Sequence, residues 1–236
     1  MTPIIFALSL IGCYLIGSIS FSRIVTKIVA PDVNLDEVKL KVPDSEQEMQ
    51  LKTVGATTAS IVVGAKVGWL IALLDITKGA LPTLAFKLLF PDTYYFLFCG
   101  IAVIIGHIWP IFFKFHGGGG LAATIGFLTV IDPLGALVSA LLSIIFGVLI
   151  VRETVVTFLG GIWIFLAWIA IRTGNWWYIL ANLTANLLII IAAIPDIREG
   201  IENKKINSGI STGMQALPLA KPFEKILAFF KINRNK

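Results

Sequence analysis

Three charge-poor stretches, Leu134 to Val151, Val155 to Ile171 and Trp176 to Ile194, constrain this chain more than any other feature. Each is close to the roughly 20 apolar residues that a helix needs to cross a bilayer core. Lipid is their natural solvent, because a helix satisfies its own backbone polar groups there. Composition agrees: 57% of the 236 residues are hydrophobic and 14% are charged, with a mean hydropathy of +0.89. An ordinary soluble core cannot hide that much apolar surface. The formal net charge of +5 and pI near 9.3 raise the question of nucleic acid. The surplus lies in loops and tail beside the apolar segments, so anionic lipid headgroups or a phosphorylated substrate are the expected partners, and nucleic acid is not.

The remaining apolar segments complete an all-α, polytopic membrane bundle of about seven spans. Ile4 to Ile19 has the length of a signal-peptide core, but no cationic region precedes it and no A-x-A-like site follows, so it is expected to stay as the first span. That span runs from about Pro3 to Val29 and is interrupted by Gly12 and the Gly17-Ser18 pair, which suit close helix contact or a local break. The second extends roughly from Ile61 to Phe90 and the third from about Tyr94 to Ile111. The fourth, Leu121 to Ile131, ends at Asp132-Pro133 and is too short to cross alone unless the preceding glycines lie at membrane depth. The polar segment from 31 to 52 has no hydrophobic period long enough to span and reads as a solvated cytoplasmic loop. Cys13 and Cys99 both sit in apolar segments and read as packing residues rather than a disulfide or a metal-ligand pair.

Positive residues favour the cytoplasmic side of short loops. With the N-terminus outside, only Lys87 and Arg172 fall in outer connections, while Arg23, Lys27, the 31–52 loop, Lys114, Arg152 and the tail fall inside. The C-terminus is then inside. The chain divides into a membrane domain over 1–202 and a basic cytoplasmic tail over 203–236. In the tail, Phe223, Ile226, Leu227, Phe229 and Phe230 alternate with Lys221, Lys225 and Lys231 at roughly helical spacing, which suits an amphipathic helix on lipid or on the loops.

Gly117 to Gly120 is the strongest local signal, since successive glycines let backbone N–H groups converge on an anion. Lys114 and His116 precede the run and Thr124 follows it, so cationic and hydroxyl donors lie close in sequence. A close-packed glycine bend between helices fits the same residues. Asp75 and Lys78 share one helical face and can form an ion pair inside the bundle, or Lys78 can snorkel to an interface. His107, just before Trp109-Pro110, can bond a freed backbone carbonyl or serve as a general acid or base. No clustering of ligand residues calls for a metal, and no cofactor is expected.

These residues resemble the bacterial acyl-phosphate:glycerol-3-phosphate acyltransferases of the PlsY type. The matching pieces are Gly17-Ser18-Ile19, Val54-Gly55-Ala56-Thr57, Leu73-Leu74-Asp75 with Lys78-Gly79, Gly106-His107-Ile108-Trp109-Pro110 leading into Phe115 and Gly117-Gly118, and Arg198-Glu199. Their order and spacing run through about residues 4 to 202. The resemblance implies seven spans with the N-terminus outside, and transfer of a fatty acyl group from acyl phosphate to glycerol 3-phosphate, giving lysophosphatidic acid. It implies His107 and Glu199 as catalytic candidates. Gly55, Thr57, Lys66, Lys114, His116, Gly117, Gly118, Gly119, Gly120 and Arg198 become the substrate-binding candidates in a site facing the cytoplasm.

The motifs also depart from the family pattern. Where the first reads like G-S-G-N-V-G-A-T-N, this chain has Gln50-Leu51-Lys52-Thr53 before Val54, and the arginine that follows the motif is replaced by Ile61. The second, like K-G-G-K-G, reads His116-Gly117-Gly118-Gly119-Gly120. In the third, like H-R-E-N, Ile197 and Gly200 replace the histidine and asparagine. Weakened or altered acyl transfer in the cell membrane is therefore the expected function. An inactive lipid-binding or scaffold homologue is the alternative. A transporter built on Asp75, Lys78 and the broken fourth segment is a third reading, without an inverted repeat to support it.

Overall fold

The computed structural model describes residues 2–41, 48–151 and 154–202. The tail and its expected amphipathic helix lie outside them. Among the described residues, six helical segments are long and apolar enough to cross a membrane, the first of them Pro3–Val29 with a turn inside it, and an 11-residue helix, Leu121–Ile131, makes a shorter seventh. The all-helical bundle read from hydropathy is the fold of the chain.

Helix α1, Pro3–Gly17, starts at Thr2, whose hydroxyl accepts from the Ile5 N–H, with Pro3 in the first turn where no N–H is needed. It packs on α5, Tyr95–Ile108, through glycines: a Cβ on Gly17 would strike the Val103 backbone, and one on Gly106 would strike the Tyr14 carbonyl. Gly12 faces open space, so it is Gly17 and not Gly12 that makes the close contact. This approach brings Cys13 and Cys99 together as a disulfide with Cα atoms 5.6 Å apart. Their reading as unpaired packing residues is corrected, because adjacency across two helices has no trace in either segment alone. The local break read at Gly17-Ser18 is present: the chain turns at Ser18 to Ser20, and α2, Phe21–Val29, is a separate helix.

Residues 31–41 and 48–52 are more ordered than a solvated loop. They carry a 3-10 turn at Leu35–Glu37 and a two-stranded antiparallel hairpin, β1 (Lys39–Lys41) with β2 (Glu48–Gln50), Lys39 opposite Gln50. Leu35 and Val38 are buried with Val25, Val54, Ala59 and Ile71. Two isolated apolar side chains anchor a polar stretch in a way that no hydrophobic period reveals.

Helices α3 (Ala56–Val62) and α4 (Ala65–Leu89) are parted by Gly64, at φ +117, a conformation that only glycine adopts without strain. Helix α6, Leu121–Ile131, lies close along α4, where a Cβ on Gly79 would strike the Ala123 carbonyl and one on Gly126 the Ile76 carbonyl. The rest of the bundle is α7 (Pro133–Ile145, running on as a π-helical stretch Phe146–Val151), α8 (Thr154–Thr173) and α9 (Trp176–Glu202). Its core includes Phe127, Phe165, Ile104, Ile169 and Ala185.

Asp132, between α6 and α7, accepts from the Gly135 N–H at 3.0 Å, the Trp168 indole at 3.0 Å and the Arg172 guanidinium. Lys87 reaches the same end and donates to the Val130 carbonyl and, at 3.3 Å, to that of Ile131. The two cations read as lying in outer connections thus close one end of the bundle, away from the glycine turn. Burial acts to raise the Asp132 carboxyl, but the Gly135 N–H, Trp168 and Arg172 outweigh it and hold the group below its ordinary value of 3.8. A lowered folded value stabilises above the unfolded pKa, and that contribution is lost as pH falls through the folded one. Asp132→Ala is expected to cost about 2 kcal/mol near neutral pH through the lost cap and ion pair. Thermal unfolding in detergent should show this deficit shrinking in strong acid, where wild-type Asp132 is protonated.

Candidate active site

The turn between α5 and α6 is begun by its own sequence and held by hydrogen bonds to His107, Pro110 and Val54. Pro110 cannot continue α5, Lys114 and Phe115 take left-handed backbone at φ 51 and 62, and Gly120 sits at φ 83 before α6 begins. The Gly118 N–H donates to the His107 carbonyl at 3.1 Å, and the Val54 N–H donates to the Gly117 carbonyl at 2.8 Å. A Cβ on Gly117 would lie 2.6 Å from the Ile108 carbonyl oxygen, and one on Gly118 would collide with His107 Nε2. A Cβ on Gly55 would stand 3.6 Å from the Gly118 Cα. The glycine turn and the Val54–Thr57 segment therefore meet, with glycine wherever backbone approaches backbone. Gly119 alone in the run faces open space at ordinary φ.

Beneath the turn lies a buried ionic group drawn from two helices. Lys78 Nζ is 3.0 Å from Asp75 Oδ1, and His107 Nδ1 is 3.5 Å from the same oxygen. Lys78 also donates to the Ile19 carbonyl at 2.8 Å and stands 5.5 Å from the centre of the Phe21 ring. The reading of Lys78 as snorkelling is thereby replaced: its ammonium ties α4 to the turn between α1 and α2. His107 does not bond a freed carbonyl with its ring. Its ring lies 3.5 Å from Asp75 and fills the space a side chain at Gly118 would need, and its own carbonyl accepts from the Gly118 N–H.

The rim holds residues that motif reasoning passed over. Ser20 and Ser22 hydroxyls lie 3.0 Å apart, and Ser22 donates to the Val54 carbonyl at 3.3 Å. Arg23 reaches Ser20 at 3.4 Å, pairs with Asp36 and lies over the Phe113 ring at 4.5 Å. Asp196, on α9, accepts from the Lys52 N–H at 2.7 Å and the Thr53 hydroxyl at 2.9 Å, so it fastens the start of the first motif. The available signal for Asp196 was its position one residue before Ile197-Arg198.

Of the binding candidates, Gly55, Gly117 and Gly118 converge with His107. Thr57 is exposed in the first turn of α3, and Thr124 is buried one turn into α6. Lys66, Lys114, His116 and Arg198 are exposed. His116 Nδ1 lies 2.8 Å from the Lys114 carbonyl, and among the described residues no contact carries Lys66, Lys114 or Arg198 to the glycine turn. The Glu199 side chain lies outside the described residues. Among those residues, no group of three or more His, Cys, Asp or Glu is placed to hold a metal.

The family described as glycerol-3-phosphate acyltransferase matches residues 7–203. The chain belongs to that family. A glycerol-3-phosphate acyltransferase 2 of Bacillus anthracis is 33% identical over 159 residues, 67% of this chain and 77% of its own. Glycerol-3-phosphate acyltransferases of Halalkalibacterium halodurans and Aquifex aeolicus are 38% and 34% identical over 58% and 56% of this chain. The matched segment spans only 62% of each of those two relatives. Among solved structures, PlsY, an integral membrane glycerol 3-phosphate acyltransferase in its glycerol 3-phosphate form, superposes with TM-score 0.69 at 25% identity, covering 85% of this chain and 93% of its own. Its lysophosphatidic acid form gives 0.68 at 24% identity, a likeness of fold. The acyltransferase fold and its motif order are thus present together with the departures noted above.

Proposed function

We propose that this family member transfers an acyl group from acyl phosphate to glycerol 3-phosphate at the glycine turn, with lower turnover than relatives that carry the full cation set. The observation that carries the reading is the convergence of Gly117-Gly118 with Val54-Gly55 over His107. The exposed Gly119 and the unbonded N–H groups in the first turn of α6 are the donors offered to a phosphate there. The glycerol hydroxyl oxygen attacks the acyl carbon, the carbon–oxygen bond to phosphate breaks, and the hydroxyl proton leaves on the released phosphate. A good leaving group makes positioning and charge stabilisation the main tasks. His107 is a positioning residue in this scheme, because it holds the turn by its carbonyl and backs it with its ring. The exposed setting of Lys66, Lys114 and His116 supports lowered turnover.

The test is lysophosphatidic acid formation by the purified full chain from acyl phosphate and glycerol 3-phosphate. Gly118→Ala should lower turnover roughly 100-fold, because the new methyl displaces the His107 ring and misplacement by about 1 Å can cost that much. Turnover unchanged by Gly118→Ala would place the chemistry elsewhere. No product from wild type under any condition would favour the lipid-binding or scaffold homologue.

The site is further proposed to face the cytoplasm, because with the N-terminus outside only Lys87 and Arg172 fall in outer connections while the other lysines and arginines, the basic 203–236 sequence included, fall inside. A single cysteine introduced at Asn207, in a chain lacking Cys13 and Cys99, should resist labelling from outside intact cells. Labelling from outside would reverse the orientation.

A further inference from the structure

Helix α2, the C-terminal end of the Pro3–Val29 segment, carries an interfacial pattern on its exposed side. Ile24 and Ile28, one turn apart, are exposed at 44% and 75%, whereas Val25 and Thr26 are buried against the protein. Arg23 and Lys27 flank the Ile24–Ile28 stripe on the next strip of the helix surface. An apolar stripe edged by cations is the pattern of a helix lying in the headgroup region, apolar face down.

Beside this helix is a polar cavity of about 290 Å³ whose lining includes Arg23, Thr26, Lys27, Asp32 and Asn34. Its lining takes in none of the glycines of the turn, and it meets the rim of that site at Arg23. Thr26 is 1% exposed, and its hydroxyl has no hydrogen-bond partner among the described residues. A buried hydroxyl without a partner is costly, so a ligand atom at this wall would relieve it. Lys27 is exposed and makes no ion pair among the described residues, whereas Arg23 is held by Asp36 and keeps its remaining guanidinium donors. Asn34 is already engaged, its side chain accepting from the Asp36 N–H at 3.1 Å and donating to Glu37 at 2.7 Å. Asp32 is the one anion in the lining.

We infer that this cavity binds the headgroup of an anionic phospholipid. The phosphate meets Lys27, Arg23 and the Thr26 hydroxyl, which stand at i+4, i and i+3 on one face of α2, and an acyl chain lies along Ile24 and Ile28. Asp32 disfavours a bare inorganic anion but accepts hydrogen bonds from headgroup hydroxyls, which makes a polyhydroxylated headgroup such as glycerol the best fit. The membrane supplies such a lipid where the stripe already sits, so no soluble partner is required. The proposal does not rest on acyl transfer, and because Arg23 also stands at the rim of the glycine-turn site, the variants that test it are made at Lys27 and Thr26.

The experiment uses the full chain in phosphatidylcholine vesicles with and without phosphatidylglycerol, and native mass spectrometry of the lipids retained. Wild type should keep phosphatidylglycerol in preference to phosphatidylcholine. Lys27→Gln should weaken its retention about tenfold and Thr26→Val about fivefold, while Lys27→Arg should restore it. Without phosphatidylglycerol, Thr26→Val should unfold at the same temperature as wild type or higher, because it deletes a hydroxyl that lacks a partner. Equal retention by wild type and both weakened variants would overturn the proposal. So would full displacement of phosphatidylglycerol by inorganic phosphate, which would mark the cavity as a site for soluble anions.

Discussion

Lys78→Met is expected to destabilise the folded protein by about 3 to 5 kcal/mol, the cost of breaking a buried ion pair by removing one partner. Asp75 would be left in the bundle without its ammonium partner, with His107 Nδ1 3.5 Å away as its remaining neighbour. The Ile19 carbonyl would lose its donor at the same time, so the turn between α1 and α2 would loosen as well. Thermal unfolding in detergent should report the loss, and the double variant Asp75→Asn, Lys78→Met should recover much of it, since two neutral groups leave no unpaired charge. A double-mutant cycle gives the coupling directly. Additive single effects would show that the two groups act independently, against the geometry. Because His107 shares Asp75, the single variant should also lower any acyl transfer more than the double variant does.

Gly119→Lys is expected to raise lysophosphatidic acid formation by roughly 10- to 100-fold, from the ~1.5 to 3 kcal/mol that a charge-assisted hydrogen bond to phosphate contributes. This position resembles that of the second lysine in the family's second motif. A Cβ at Gly119 meets nothing within 4 Å, so the side chain can be added without displacing the turn. Gly119→Ala separates the effect of charge from that of a stiffer backbone and should leave turnover near wild type. Ile61→Arg is a poorer restoration, because Ile61 packs against the buried cluster of Val25, Leu35, Val54, Ala59 and Ile71, where a guanidinium would be desolvated. Product measured for all three variants beside an authentic relative decides the matter. Wild-type turnover equal to the relative's, with no gain from Gly119→Lys, would show that other residues already supply the charge.

Much of this architecture is written in local sequence. Charge-poor apolar runs near twenty residues long identify most of the spans, because dehydrating a charge in hydrocarbon is costly wherever the helix packs, and α4, with Asp75 and Lys78, is the exception. Asp132-Pro133 marks the end of α6, and the spacing of Asp75 and Lys78 alone puts both on one face, where they do pair. The glycine run was visible as a place where backbone can approach backbone. Yet its partners at His107 and Val54 were not, since they lie on elements folded onto it. What only the tertiary structure decided follows one physical rule: hydropathy states which segments prefer lipid but not which faces meet. The Cys13–Cys99 disulfide, the junction of His107 with Asp75, the burial of Leu35 and Val38 beneath a polar hairpin and the exposure of Lys66 and Lys114 all depend on faces meeting. Close approach at Gly17, Gly79, Gly106 and Gly126 set those faces, because van der Waals contact between backbones, rather than escape from water, orders helices inside a membrane.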